Sequence, residues 1–136
     1  MIEDSVRLAR KWMETYADGD ADGILACLAD DWVLHEREGG LTRRADIAEI
    51  TRSHKDSFPE KEFEYLSEVA SGAQVAQYVR FTLVHSGRYH DLEATGRRVD
   101  LWEMVFHRIA GRLIEESWRM TYPDSVYALL IDDPSE

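Results

Sequence analysis

The residue best suited to chemistry is Glu103, which lies in a run rich in β-branched and aromatic residues. If Ala110 and Gly111 form a two-residue turn, the last two predicted strands pair so that Glu103 lies opposite Trp118. A carboxylate against an indole ring is poorly solvated, and desolvation raises its pKa towards the range useful for general acid–base catalysis. The alternative is a carboxylate that forms a structural salt bridge or hydrogen bond near a strand edge.

Three of the five histidines are candidates for the same site. His85 ends a strand with one mostly apolar face, and such a position often lines the mouth of a cavity. His35 follows a short apolar segment that includes Trp32, and His107 shares the predicted face of Glu103. For each, the alternative is a structural histidine. No two histidines have the spacing of a metal site, so we expect no metal.

Two tyrosines, Tyr16 and Tyr122, could donate hydrogen bonds to a bound carbonyl or enolate, although each could equally be a core aromatic. With the neighbouring apolar side chains they define a predicted binding pocket. Its members are Tyr16, Trp32, Phe81, Leu101, His107, Trp118, Met120 and Tyr122.

The elements that must position these residues differ between the two halves of the chain. The first half has helical periodicity from Ile2 to Ala17, from Ala21 to Leu28 and from Thr42 to Ser57, with an extended segment near Trp32. The second half predicts four strands, 62–70, 74–85, 97–109 and 112–122. Together they predict an α+β fold, with helices packed on one face of a curved antiparallel sheet and a cone-shaped cavity between them.

The assumed hairpin register assigns each side chain of the last two strands to a face. The pocket face would hold Val99, Leu101, Glu103, Val105, His107, Ile114, Glu116, Trp118, Met120 and Tyr122. The opposite face carries Trp102, Met104 and Phe106 in a row. Because helices can cover only one face of the sheet, this second apolar face predicts a homodimer that packs through it.

Composition limits the classes of partner. The 136 residues fit one domain, predicted over 1–131 with an acidic tail at 132–136. With 16 basic and 27 acidic residues the net charge is −11, which disfavours nucleic acid and anionic membranes as partners. The longest apolar runs have six residues, too few to span a membrane. The N-terminus does not resemble a signal peptide and Cys27 is the sole cysteine, so we expect a cytoplasmic protein.

Short segments in a fixed order add a family resemblance. They are Asp30-Asp31-Trp32-Val33 with His35, Val75-Ala76, His85-Ser86-Gly87, Thr95-Gly96-Arg97-Arg98-Val99, and Arg108-Ile109 followed by Gly111-Arg112, Ile114, Glu116 and Trp118. They resemble the D-D-F-V-x-H, V-A … H-T-G … T-G-R-x-V and R-I-x-D-G-K-I-x-E-x-W stretches of SnoaL-like polyketide cyclases. The resemblance covers about residues 5 to 122.

This resemblance implies the nuclear transport factor two-like cone fold, which ketosteroid isomerase and limonene epoxide hydrolase also use. It implies a pocket between helices and sheet, usually a homodimer, and an intramolecular aldol closure without metal or organic cofactor. In such cyclases a pocket carboxylate acts as acid and base, helped by a histidine; His85 and His35 match by position.

One departure affects the predicted chemistry. Related enzymes place an aspartate two or four residues after the tryptophan that Trp118 matches, and this chain has Met120 and Tyr122 there. Asp124 lies beyond Pro123. Glu103 is therefore the substitute candidate for the general acid–base, with His85 or His35 orienting it or relaying a proton.

Two functions remain open from the sequence. The first is an enzyme of isomerase or cyclase type that transfers protons next to the carbonyl of a hydrophobic small molecule. The second is a non-catalytic small-molecule-binding or assembly protein with the same fold, which the missing aspartate favours.

Overall fold

The computed structural model describes residues 2–123 and 125–131, so Asp124 and the predicted tail, 132–136, lie outside the described residues. The elements are α1 (Ile2–Asp18), α2 (Ala21–Leu25), β1 (Leu28–His35), a 3-10 turn (Arg37–Gly39), β2 (Leu41–Arg43), α3 (Arg44–Ser57), β3 (Glu60–Ser71), β4 (Gln74–Val84), β5 (Arg98–Ala110), β6 (Leu113–Tyr122) and α4 (Val126–Ile131).

Helix α1 forms because its apolar residues recur at helical spacing. Ala9, Trp12, Met13 and Tyr16 fall on one stripe and are buried. The helix ends before Gly19, whose φ of 72° favours glycine. The Asp20 side chain then accepts a hydrogen bond from the Gly23 backbone N–H at 2.9 Å and caps α2, so the chain reverses sharply and returns towards the sheet.

The six strands form one curved sheet in the order β2-β1-β6-β5-β4-β3. Neighbouring strands are antiparallel, except that β1 runs parallel to β6. The sheet is open rather than closed, and the helices pack on its concave face. The predicted α+β architecture is confirmed.

The predicted hairpin register between β5 and β6 is wrong. The turn is Gly111-Arg112 rather than Ala110-Gly111, with Ala110 paired to Leu113. This change alone keeps every side chain on its predicted face, because the partner of Ile109 moves by two residues, from Arg112 to Ile114, which is one full side-chain period. The decisive feature is a bulge, since Ile109 pairs with Ile114 but Arg108 pairs with Glu116. Glu115 is thus an extra residue on β6, and every later side chain of β6 moves to the opposite face.

The pocket face of β6 therefore differs from the prediction. Ser117, Arg119 and Thr121 face the helices, whereas Trp118, Met120 and Tyr122 lie on the outer face. The side chains of β5 lie on their predicted faces, because the bulge adds its extra residue to β6 and not to β5. Leu101, Glu103, Val105 and His107 are buried on its inner side.

The outer face of the sheet carries a cluster of apolar side chains, which we call the outer apolar patch. It consists of Trp102, Met104, Phe106, Trp118, Met120 and Tyr122, in three cross-strand pairs. Met104, Met120 and Tyr122 are 58%, 66% and 71% exposed. Among the described residues, no helix is long and apolar enough to cross a membrane.

Candidate functional site

A cavity of about 940 Å³ opens between the helices and the concave face of the sheet. Its walls come from α1, α3, β4, β5 and β6, and its rim from the loop after β4 and the start of α4. The lining residues are Tyr16, Glu36, Glu49, Ile50, Ser53, His54, Asp56, Ser57, Phe81, Leu83, Arg88, Tyr89, His90, Leu101, Glu103, Arg119, Thr121, Ser125, Val126 and Tyr127.

Glu103 supplies a buried carboxylate to this cavity. Its side chain points inward from the middle of β5, and the residue is 7% exposed. Oε2 is buried and has no hydrogen-bond partner among the described residues. Burial raises the pKa of Glu103, while the positive charges of Arg119 and Lys61 oppose the rise. The carboxyl is thus a proton acceptor with free lone pairs at the cavity wall.

Arg119 lies diagonally across from Glu103, because it pairs with Val105 on the neighbouring strand. Its Nε donates to Glu36 Oε1 at 3.1 Å, and its Nη2 donates to the same oxygen. Burial alone would lower the pKa of Arg119, but the acidic groups of Glu103, Tyr16 and Glu36 together raise it. Its Nη1 is buried without a partner in the described chain, so a cationic donor remains free beside the cavity.

Tyr16 forms the wall opposite the sheet. It reaches the cavity from the last turns of α1, and burial raises the pKa of its hydroxyl to about 12. The Arg119 guanidinium carbon lies 5.8 Å from the centre of the Tyr16 ring. The phenol is therefore neutral at ordinary pH and can act only as a hydrogen-bond donor or acceptor.

His54 and Lys61 adjoin the same tyrosine. His54 lies on α3 and lines the cavity, and its ring centre is 5.3 Å from that of Tyr16. Lys61 lies on β3, with its Nζ 5.0 Å from the Tyr16 ring centre and 2.6 Å from His54 Nδ1. Burial, together with the charges of Lys61 and Arg119, holds the pKa of His54 well below its ordinary value.

The rim of the cavity is held against the end of α3 by backbone contacts. Gly87 N–H donates to the Ser57 carbonyl at 3.0 Å, and Ser57 Oγ donates to the Arg88 carbonyl at 2.6 Å. A Cβ on Gly87 would lie 1.9 Å from the Asp56 carbonyl oxygen. Glycine is therefore required where these two segments touch, and the contact positions Tyr89 at the cavity mouth.

Sequence reasoning selected four residues that line the cavity: Glu103, Tyr16, Phe81 and Leu101. His85 lies just behind the wall, fully buried, and its Nδ1 is within hydrogen-bond distance of Thr95 Oγ1 and Thr95 N–H. His35 lies elsewhere: its Nε2 is 2.5 Å from Glu116 Oε2, and its ring stacks on Trp118 of the outer patch.

Trp32 and His107 belong to a second buried cluster that does not line the cavity. Trp32 Nε1–H donates to Ser117 Oγ at 3.0 Å, and Ser117 Oγ is 2.7 Å from His107 Nδ1. Burial lowers the pKa of His107 to about 3, so the imidazole is neutral. We call Trp32, His107 and Ser117 the closed cluster.

Trp118, Met120 and Tyr122 are corrected here as pocket residues. All three lie on the outer face, because the bulge at Glu115 reverses the facing of β6 beyond it. Glu116 is likewise not in the pocket but contacts His35 and Arg108. The opposition of Glu103 and Trp118 is also wrong, since Glu103 pairs with Thr121.

The sequence reasoning missed four polar residues of the site: Arg119, Glu36, His54 and Lys61. The assumed register puts Arg119 on the face opposite Glu103, which hides it from the predicted pocket. The signal that could have found it is the pair Glu115-Glu116, where two charged residues interrupt strand alternation between Ile114 and Ser117. Among residues 2–123 and 125–131, no three or more His, Cys, Asp or Glu side chains group as metal ligands do.

Comparison with known proteins identifies similar sequences and folds. The sequence profile of the SnoaL-like domain matches residues 9–117. None of the curated proteins matches this chain in sequence.

Solved structures of several kinds share the fold. AclR, a proposed hydroxylase from Streptomyces galilaeus, superposes with a TM-score of 0.85 at 21% identity, covering 98% of this chain and 87% of its own. A proposed SnoaL-like polyketide cyclase from Jannaschia sp. CCS1 superposes with a TM-score of 0.83 at 14% sequence identity. The match covers 97% of this chain and 94% of the cyclase. An LEH-like epoxide hydrolase from M. tuberculosis superposes with a TM-score of 0.71 at 18% sequence identity. The match covers 93% of this chain and 86% of the hydrolase. Since these names describe different chemistries, the shared fold alone does not select a reaction.

Proposed function

Because the chain belongs to the SnoaL-like domain family, we propose that it is an enzyme of isomerase or cyclase type that transfers protons on a hydrophobic carbonyl compound without a cofactor. The cavity supports an apolar substrate, because Phe81, Leu83, Leu101 and Val126 contribute to its walls. Some of the similar structures bear the name polyketide cyclase, and polyketide-like compounds fit this substrate class because they have enolisable carbonyl groups.

One observation carries the proposal: the two unpartnered atoms at the cavity wall are complementary. Glu103 Oε2 is an acceptor and Arg119 Nη1 is a charged donor, and both are buried. Buried polar atoms are almost always paired, so an unpaired acceptor beside an unpaired donor favours a ligand that completes both. A carbonyl compound does so, because its α C–H meets the carboxylate while its oxygen meets the guanidinium.

The reaction follows from this placement. The Glu103 carboxylate removes a proton from the α-carbon, and the electrons of the C–H bond form the C=C bond of an enolate. The negative charge develops on the carbonyl oxygen, where Arg119 Nη1–H stabilises it. In an isomerase, protonated Glu103 returns the proton to another carbon. In a cyclase, the enolate carbon attacks a second carbonyl, and the resulting alkoxide takes the proton.

The raised pKa of Glu103 predicts the pH dependence. The carboxylate is the active form, so the rate falls as the pH is lowered through the Glu103 pKa. Since burial raises that pKa, the acid limb lies above the ordinary value of 4.5. A limb at or below 4.5 would contradict a buried catalytic carboxyl.

The test follows α-proton exchange of 2-tetralone, an enolisable hydrophobic ketone, in D2O by proton NMR. We expect the protein to accelerate exchange over buffer and Glu103→Gln to reduce the acceleration by about 100- to 10,000-fold. The control is Glu62→Gln, an exposed glutamate on β3, which should exchange like the wild type. Equal rates for both variants, or no acceleration by the wild type across a panel of enolisable ketones, would overturn the proposal.

The non-catalytic alternative loses its main support in this geometry. It rested on Met120 and Tyr122 replacing an aspartate of related enzymes. In this chain both side chains lie on the outer face, where a carboxylate could not reach the cavity. Binding of 2-tetralone without any exchange would restore this alternative.

We also propose that the protein is a cytoplasmic homodimer that packs through the outer apolar patch. Six large apolar side chains lie in three cross-strand pairs on this face, four of them exposed and Trp102 and Phe106 half-buried, and such a patch is unusual for a monomer. Sedimentation at micromolar concentration should give twice the chain mass, and Met104→Glu with Met120→Glu should halve it. A wild-type mass of one chain would disprove the dimer.

A further inference from the structure

We propose that Lys61 is a positioning residue, which holds His54 in the tautomer with hydrogen on Nε2 so that His54 is a second donor to the substrate oxygen. The inference rests on the proposed function, because it assigns His54 a place beside Arg119 in the same cavity. The inference extends the site to a residue that does not line the cavity. Lys61 lies on β3, behind His54 and Tyr16.

The hydrogen bond between Lys61 and His54 can be donated in only one direction. Lys61 Nζ lies 2.6 Å from His54 Nδ1, which is hydrogen-bond distance. A charged lysine has three hydrogens and no acceptor, so it can only donate. His54 Nδ1 must then be the unprotonated nitrogen, and in a neutral imidazole the hydrogen is left on Nε2.

His54 is neutral because burial and two nearby positive charges disfavour its protonated form. Beyond burial, Lys61 from β3 and Arg119 from β6 each disfavour a third cation. A neutral imidazole with its hydrogen on Nε2 can donate a hydrogen bond to a carbonyl oxygen and keep its proton.

The three basic side chains surround one aromatic ring, that of Tyr16. His54, Lys61 and Arg119 all lie within 6 Å of the Tyr16 ring centre, at 5.3, 5.0 and 5.8 Å. His54 and Arg119 line the cavity, whereas Lys61 does not. Arg119 Nη1 has no hydrogen-bond partner in the described parts of the chain, and the hydrogen bond found there for His54 is at Nδ1 rather than Nε2. Two donors therefore adjoin the position where the enolate oxygen would form.

The role of Lys61 is not explained by an ion pair. Within residues 2–123 and 125–131, its Nζ has His54 Nδ1 as hydrogen-bond partner and no carboxylate at ion-pair distance. Burying most of a lysine without a paired carboxylate is unfavourable unless its hydrogen bond serves a purpose. Holding the tautomer of His54 is such a purpose.

The charges around Lys61 set the pH range of this effect. Burial and the charge of Lys55 on α3 lower the pKa of Lys61, Glu103 of β5 and Asp18 of α1 raise it, and together these effects bring it to about 8. The ammonium is present below about pH 8 and lost above it. The tautomer of His54 is therefore fixed at neutral pH and released in alkaline solution.

The test measures the tautomer directly, by long-range nitrogen–proton NMR of histidine-labelled protein at pH 7. Wild type should show His54 with Nε2 protonated, Lys61→Met a mixture of both tautomers, and Lys61→Arg the wild-type state restored. Lys11→Met, an exposed lysine on α1, is the control. A Lys61→Met spectrum with the wild-type tautomer, or a wild type with Nδ1 protonated, would overturn the inference.

The rate of α-proton exchange of 2-tetralone then distinguishes a positioning role of Lys61 from a purely structural one. Lys61→Met should reduce the exchange kcat by about tenfold with little change in KM, because a disordered donor weakens oxyanion stabilisation. Lys61→Arg should keep the wild-type rate and retain it above pH 8. Failure of Glu103→Gln to reduce exchange would reject the proposed function, while an unaltered His54 tautomer in Lys61→Met rejects only the role of Lys61.

Discussion

Two buried polar clusters lie on the same face of the same two strands, and their difference shows what makes a site. Glu103 and Arg119 line the cavity, whereas the closed cluster of Trp32, His107 and Ser117 lies further towards the hairpin turn. Glu103 and His107 are four residues apart on β5, and burial shifts the pKa of both. Burial and a shifted pKa therefore do not by themselves identify a reactive residue.

The free hydrogen-bonding atoms separate the two clusters. In the closed cluster Ser117 Oγ accepts from Trp32 Nε1–H and also lies within hydrogen-bond distance of His107 Nδ1. His107 Nε2 and the neighbouring Trp12 Nε1 are buried without a partner in the described chain. Both of these atoms belong to uncharged rings. Beside the cavity the buried free atoms of Glu103 and Arg119 are a carboxylate acceptor and a charged donor, which together fit an enolisable carbonyl group.

Among substitutions that compare the two clusters, Arg119→Met should have the largest effect, because it changes both the reaction and the stability of the cavity cluster. It removes the oxyanion donor, so we expect exchange of 2-tetralone to fall by about 100- to 1,000-fold. It also leaves Glu36 and Glu103 without their cation. A buried pair broken in this way costs about 3–5 kcal/mol, and because Glu36 is 35% exposed we expect about 2–4 kcal/mol by urea unfolding.

The matched control for this variant is Arg80→Met, which breaks the exposed pair with Glu64 on the outer face. Its free energy of unfolding should change by less than about 1 kcal/mol, and its exchange rate should remain that of the wild type. Equal losses in the two variants would remove the distinction between cavity and surface.

The closed cluster should make folding sensitive to acid through His107. His107 has a folded pKa of about 3 against an ordinary 6.5, so the folded state binds fewer protons than the unfolded state between these values. Its contribution is present above pH 6.5 and is lost as the pH falls towards 3, by about 1.4 kcal/mol per unit. The difference in free energy of unfolding between wild type and His107→Gln should show this slope. A difference that is independent of pH would contradict it.

Ser117→Ala should destabilise the fold and leave the chemistry unchanged. Trp32 Nε1–H and His107 Nδ1 would both lose their buried partner, at a cost of about 1–3 kcal/mol. Thermal unfolding measures the cost, and the 2-tetralone assay should give the wild-type rate. A large loss of exchange would connect the closed cluster to the reaction.

The smallest effect is expected at His35, which sequence reasoning placed in the site and the structure places against Glu116 and Trp118. His35→Gln should change the exchange rate by no more than about twofold, as for surface substitutions generally. His85→Gln is the informative companion, since His85 packs 5.7 Å from Phe58 behind the cavity wall. A tenfold loss in His35→Gln alone would contradict this placement.

Much of the fold could be predicted because it depends on local patterns. Apolar residues at helical spacing define α1, and runs of β-branched and aromatic residues define β3 to β6. Glu103 could be found because β5 alternates regularly along its whole length. The short α4 was not predicted as a helix, and the parallel pairing of β1 with β6 depends on contacts between residues distant in sequence.

The sequence by itself determined the types of the long elements, the burial of Glu103 and the presence of a second apolar face. The tertiary structure decided which side of β6 faces the cavity. A strand has a side-chain period of two, so the single extra residue at the Glu115 bulge exchanges its faces. That exchange puts Arg119 beside Glu103 and moves Trp118, Met120 and Tyr122 outward. His54 and Lys61 meet only because α3 and β3 pack around Tyr16, a contact that no local pattern encodes.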